Sequence, residues 1–269
     1  MRAHGLWLML ALVACRDAEA RHTPRVSAEL PASAEPRASA AAEPSAAPVA
    51  TAAPEAPEAL EVPASIEELA VPGDVRALVV RGRPGAEMHT VFMPGLCSNA
   101  YGYLYSFPET ARLHGGVVAL DGDAPCGAAD SGFRSFSWNP ALQKKRVLAA
   151  LEAAHVPVPD DGLTLAGYSS GASIAELMHA EWPDLFPRLV LIAPPVDPEP
   201  YRLRTARGVV SMACSLDVTS RMKLAVRRLA ALSVPAIYLE MPGCTHGNVA
   251  EGERVFDQAF GWLERDRPR

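Results

Sequence analysis

The chain has 269 residues, 49% of them hydrophobic, and carries 25 basic against 31 acidic side chains for a net charge of −6. No basic stripe runs along it, which excludes the electrostatic footprint of a nucleic-acid binder. Its length allows one sizeable core.

The first residues, Met1 to His4, are weakly basic, and Gly5 to Val13 form a compact apolar run. That run is too short to cross a bilayer as a helix and reads as an export signal. Leu12-Val-Ala-Cys15 resembles the lipobox of bacterial lipoproteins, in which the Cys is lipidated and becomes the new N-terminus. The alternative is an ordinary signal peptide with an incidental Cys, and either reading exports the chain. Residues 1–14 are thus expected to be a lipoprotein signal peptide, and Cys15 the lipidation site and membrane anchor. The expected location is a bacterial cell envelope, facing the periplasm or the exterior.

Residues 15–64 are rich in Ala, Pro and Glu, with no aromatic residue between Trp7 and Phe92. Such a segment buries too little apolar surface to offset the entropy of ordering. It reads as a disordered, semi-rigid tether whose prolines favour extended structure.

Residues 65–269 read as one domain. Arg76–Val80, His89–Met93, Gly116–Leu120, Leu163–Gly167, Leu189–Ala193, Val209–Ala213 and Ala236–Glu240 are strand-like apolar runs. Helical stretches alternate with them: Tyr101–Leu113, Pro140–Ala154, Ala172–Trp182, Arg221–Leu232 and Arg254–Leu263. This alternation predicts an α/β fold with a mostly parallel central sheet and helices on both faces.

The Leu163 run ends in Gly167-Tyr-Ser169-Ser-Gly171 and a helical pattern follows at once. Strand, Gly-x-Ser-x-Gly and helix in succession form the context of a nucleophile elbow, in which the turn leaves no room for flanking side chains. Asp217 follows the strand ending at Ala213, and His246 follows the strand ending near Glu240. A Ser hydroxyl needs an imidazole to take its proton, and the imidazole needs a carboxylate to fix its tautomer. Asp197, after the Leu189 strand, competes with Asp217 as the acid. His89, His114, His155 and His179 lie in strand, helix or helix-end contexts and read as structural. Asp121 and Asp123 read as a polar turn without a catalytic role.

With these motifs, residues 66–265 resemble the α/β-hydrolase superfamily, whose triad runs in the chain order Ser, acid, His. The resemblance implies a serine hydrolase of the carboxylesterase kind that needs no cofactor or metal and acts on a small acyl substrate. It implies Ser169 as nucleophile, His246 as base and Asp217 as acid. The backbone N–H groups of Ser170 and Leu96 are the implied oxyanion hole, although Pro94-Gly95 stands where many relatives have His-Gly. Ester, thioester and amide substrates share one tetrahedral intermediate, so the triad does not choose between them; carboxylic esters are the expected class by analogy within the fold. A hydrolase-fold lipoprotein that has lost catalysis and serves as a binding or scaffold module is the second reading.

The superfamily's strand order makes neighbours of the strands before Cys97 and Cys126, and of those before Cys214 and Cys244. It therefore implies the disulfides Cys97–Cys126 and Cys214–Cys244, four buried free thiols being the alternative. Only about 15 residues, Pro194 to Gly208, occupy the usual place of a cap domain, so no large lid is expected. Tyr101, Tyr103, Tyr105 and Phe107, with Asp130–Trp138, read equally as walls of an open site or as core anchors.

Overall fold

In the computed structural model of the chain, residues 64–127 and 132–265 are described. The signal peptide, Cys15 and nearly all of the tether lie outside them. The first half contains β1 (Ile66–Leu69), β2 (Ala77–Arg81), β3 (Thr90–Met93), α1 (Ala100–Leu104), α2 (Pro108–Leu113), β4 (Gly116–Leu120), β5 (Ala124–Pro125) and β6 (Arg134–Ser135). The second contains α3 (Pro140–Ala153), β7 (Thr164–Tyr168), α4 (Ser170–Glu181), β8 (Arg188–Ile192), β9 (Gly208–Cys214), α5 (Thr219–Ala231), β10 (Ala236–Met241) and α6 (Gly252–Glu264).

Eight strands form one sheet in the order β1-β2-β4-β3-β7-β8-β9-β10. β2 runs antiparallel to both of its neighbours, and every other pairing is parallel. The parallel strands lack polar alternation because both faces are covered. Their residues instead alternate between two cores. Val91, Met93, Leu165, Leu189 and Leu191 join Val147 and Leu151 of α3 and Ile174 and Met178 of α4. Phe92, Ala166, Tyr168, Val190 and Ile192 join Leu104 of α1 and Val255, Phe256 and Phe260 of α6. Phe107 and Phe256 stack there with ring centroids 3.8 Å apart. Each large side chain fully buried in these layers contributes roughly 1.5–3 kcal/mol of transfer free energy.

Three features depart from the sequence reading. The single helix expected over Tyr101–Leu113 is broken into α1 and α2. Pro108 occupies the first turn of α2, and Phe107 before it has φ −150° and ψ 41°. A proline lacks the N–H that would continue a helix and crowds an α-helical conformation at the preceding residue. Outside the expected strands, β1 pairs with β2 as the edge strand, and β5 and β6 form a short antiparallel pair of their own.

The four histidines read as structural are placed away from the Gly-x-Ser-x-Gly turn. His179 is buried and its Nδ1 lies 2.8 Å from the Phe186 carbonyl oxygen; burial lowers its pKa. His114 sits 2.8 Å from Glu264 and 2.9 Å from Asp257. Burial opposes its charge, but the two carboxylates outweigh it and raise its pKa. The imidazole thus clamps the end of α2 to α6. His89 lies 3.7 Å from Glu264, and His155 has φ 57° after α3.

Candidate active site

β7 ends at Tyr168 and α4 begins at Ser170, so the chain must reverse direction at Ser169. Ser169 takes up that turn with φ 50° and ψ −117°, a strained backbone for an L residue. A Cβ at Gly167 would lie 2.5 Å from the Gly171 carbonyl carbon, and one at Gly171 would lie 2.5 Å from the Pro94 carbonyl oxygen. Only glycine fits at either place. The Ser169 side chain is pushed out at the C-terminal edge of the sheet, where ligands of open α/β sheets bind.

Two later loops reach the same edge. The His246 Nε2 is 3.0 Å from the Ser169 Oγ, and its Nδ1 is 2.7 Å from the Asp217 Oδ2. The His246 side chain is 46% exposed while that of Asp217 is 10% exposed. The carboxylate is therefore shielded and the imidazole open to a substrate. Asp197 does not approach His246. It pairs instead with Arg221 and, at 3.8 Å, with Arg228.

Tyr168 is the participant that sequence reasoning missed. Its side chain is fully buried, and its hydroxyl accepts from the Gly247 N–H at 2.9 Å and donates to the Asn248 carbonyl at 3.2 Å. The ring meets the His246 ring edge-on at 5.5 Å. Burial pushes its hydroxyl pKa up to about 12, so it stays a neutral donor. Nothing in the sequence marks it except its place inside the Gly-x-Ser-x-Gly turn.

The loop after β3 lies against Ser169. A Cβ at Gly95 would be 3.3 Å from the Ser169 Cβ and 3.4 Å from the Tyr103 hydroxyl. The Ser98 Oγ donates to the Gly95 carbonyl at 2.7 Å, and the Asp121 carboxylate accepts from the Ala100 N–H at 2.7 Å. Asp121 thereby anchors the start of α1. Asp123 accepts from the Ser137 N–H and the Gln143 side chain, each at 2.8 Å. Leu96 is 64% exposed. Neither its N–H nor that of Ser170 has a hydrogen-bond partner among the described residues. Ser170, the first residue of α4, keeps its side chain buried with the hydroxyl unpaired.

Cys97 is bonded to Cys126 and Cys214 to Cys244, with Cα–Cα distances of 5.3 and 5.0 Å. β3 pairs with β4, and β9 with β10, so each bridge joins loops that leave adjacent strands. The Leu216 N–H also donates to the Cys244 carbonyl at 3.1 Å. The segments that carry Asp217 and His246 are thus joined both covalently and by hydrogen bonding. Two such bridges belong to an oxidising, extracytoplasmic location, and no described helix is long and apolar enough to cross a membrane.

The aromatic residues divide between the two roles. Tyr103 and Phe107 are buried in the core, whereas Tyr101, Tyr105, Phe133 and Trp138 are exposed. Residues 128–131 lie outside the described residues, and with them the first two positions of the second expected wall, 130 and 131. Between β8 and β9 the chain forms only turns and bends, so no helical cap covers the edge.

No family model matches the sequence, and no curated protein is significantly similar to it. Solved structures are similar in fold. An esterase of Pyrobaculum calidifontis matches with a TM-score of 0.57 at 17% identity, over 77% of this chain and 86% of its own. A predicted CIB-like hydrolase from Thermoplasma acidophilum matches with a TM-score of 0.55 at 14% identity, over 75% and 98%. A fluorophosphonate-binding serine hydrolase of Staphylococcus aureus, solved with substrate bound, matches with a TM-score of 0.54 at 12% identity, over 75% and 99%. With its mostly parallel sheet, flanking helices and uncapped edge, this chain has the α/β-hydrolase fold.

Proposed function

We propose that the protein is a serine hydrolase that cleaves carboxylic esters or thioesters through Ser169, His246 and Asp217. The observation that carries this reading is the unbroken hydrogen-bond chain from the Ser169 Oγ through His246 to Asp217. His246 takes the Ser169 proton as the Oγ attacks the substrate carbonyl, and Asp217 stabilises the imidazolium that results. The oxyanion is met by the N–H groups of Leu96 and Ser170, which are worth several kcal/mol in the transition state. His246 then protonates the leaving group. Water, deprotonated by the same imidazole, releases the acyl group from Ser169.

A fluorophosphonate probe tests this directly, because it traps a Ser activated by such a relay. The expected result is one adduct per chain, on Ser169, absent in Ser169→Ala. A folded wild-type protein that takes no label would instead favour the binding-module reading.

The same proposal places the enzyme in a bacterial cell envelope, held through a lipid on Cys15 by a tether of residues 15–64. Its support is the apolar run and Leu12-Val-Ala-Cys15, together with the two disulfides. Cys15→Ser is expected to shift the protein from the membrane fraction to the soluble fraction, or to leave it unprocessed. A soluble form beginning near Ala64 should keep its full kcat/KM. If that form is folded and inactive, the tether has a role in the site.

A further inference from the structure

A groove of about 410 Å³ opens between the start of α1 and residues 247–249, which directly follow His246. Among the described residues no charged side chain borders it, and its walls include Ser98, Asn99, Tyr105, Ser106, Phe133 and Asn248. An ionic ligand group would lose water there without gaining a counter-charge.

The polar groups of the groove are already partly committed. The Ser98 hydroxyl donates to the Gly95 carbonyl, and the Ser106 hydroxyl donates to the Tyr103 carbonyl at 2.6 Å. The Asn99 Oδ1 accepts from the Gly102 N–H at 3.0 Å. The Asn248 amide nitrogen contacts the Thr245 Oγ1 and carbonyl at 3.2 and 3.4 Å. A hydroxyl has one hydrogen and two lone pairs. The Ser106 oxygen thus keeps lone pairs for a ligand, whereas the Ser98 hydroxyl is also shared with the Tyr103 hydroxyl; the Asn248 Oδ1 is a further acceptor and the Asn99 amide a donor. A ligand that satisfies this set is rich in hydroxyl donors.

Its other walls are aromatic. Tyr105 is 71% exposed and Phe133 is 48% exposed, and Tyr105 stacks on Tyr101 with centroids 6.2 Å apart. Phe133 adjoins Arg134, whose backbone bridges to Ser98 beside the Cys97–Cys126 disulfide. These faces suit the apolar face of a ring. Gly247, Asn248 and Val249 form the remaining wall and directly follow the imidazole that must protonate the departing oxygen. On the proposed relay the alcohol departs past His246, toward the wall that Gly247 begins.

We propose that the groove holds the alcohol half of the ester, and that this half is an uncharged, hydroxyl-bearing ring: an acylated sugar or cyclic polyol. The proposal rests on Ser169 being the nucleophile.

Three acetates test it: a methyl 6-O-acetylglucoside, cyclohexylmethyl acetate as the ring without hydroxyls, and acetylcholine as a cation. The sugar acetate is expected to show a kcat/KM at least about tenfold above cyclohexylmethyl acetate, with acetylcholine the poorest. Tyr105→Ala and Phe133→Ala should each cut the sugar-to-cyclohexylmethyl ratio about fivefold. Tyr201→Ala, which alters an exposed aromatic away from the groove, should leave it unchanged. A ratio of one or less in the wild type, or a ratio unmoved by both groove variants, overturns the proposal. Fluorophosphonate labelling is run on the same samples. A labelled Ser169 with no sugar preference sinks the groove assignment alone, whereas an unlabelled Ser169 sinks the catalytic reading and the groove with it.

Discussion

His246→Ala is expected to lower kcat for an ester by about a millionfold, with the melting temperature within a few degrees of wild type. Without the imidazole nothing takes the proton from the Ser169 Oγ or returns one to the leaving group, and the two halves of the reaction fail together. The loss corresponds to roughly 8 kcal/mol of transition-state stabilisation. Stability is spared because the side chain is 46% exposed and lies in a loop held by other contacts. Ser169→Ala added to His246→Ala should cost little more, since the residues act as a unit. Tyr168→Phe separates positioning from chemistry. It removes the hydroxyl that pins Gly247 and Asn248 yet leaves the imidazole in place. About a tenfold fall in kcat with KM unchanged is expected, in line with the sensitivity of rate to small misplacements. A fall in KM and kcat alike, or a large drop in melting temperature, would contradict the positioning role.

Asp217→Asn is expected to cost about 10⁴-fold in kcat, and Asp197→Asn less than about twofold. An amide at position 217 offers the Nδ1 of His246 the wrong partner and favours the tautomer that cannot accept the Ser169 proton. Asp197 is engaged by Arg221 and Arg228, and an exposed ion pair of this kind is worth about 1 kcal/mol at most. Kinetics of both variants on one ester decide the matter. A severe loss at Asp197 with a mild one at Asp217 would reverse the assignment of the acid.

The sheet is legible in the sequence because the inner parallel strands are largely apolar runs, a pattern that two-sided burial imposes; β10, at the edge and only partly buried, keeps an exposed Glu240. The meeting of Ser169, Asp217 and His246 is legible because each follows its own strand and so reaches one edge. What escapes is decided by contacts distant in sequence. β1 is only four residues long with a mixed burial pattern, and its strand character comes from pairing with β2. Strands β5 and β6 are two residues each and carry no periodic signal. The break between α1 and α2 is readable at Pro108, which overrides the helical spacing of the residues around it. Tyr168 eludes a reading by pattern because a Tyr at that place reads as core until the backbone groups it bonds, nearly eighty residues on, are known.

Gly171 sits at the first turn of α4 with its Cα against the carbonyls of Met93 and Pro94. No side chain cushions that contact, and backbone meeting backbone has almost no compliance. The helix start and the loop after β3 therefore move as one piece. The two N–H groups proposed to meet the oxyanion, on Ser170 and Leu96, lie on the two segments that this contact joins.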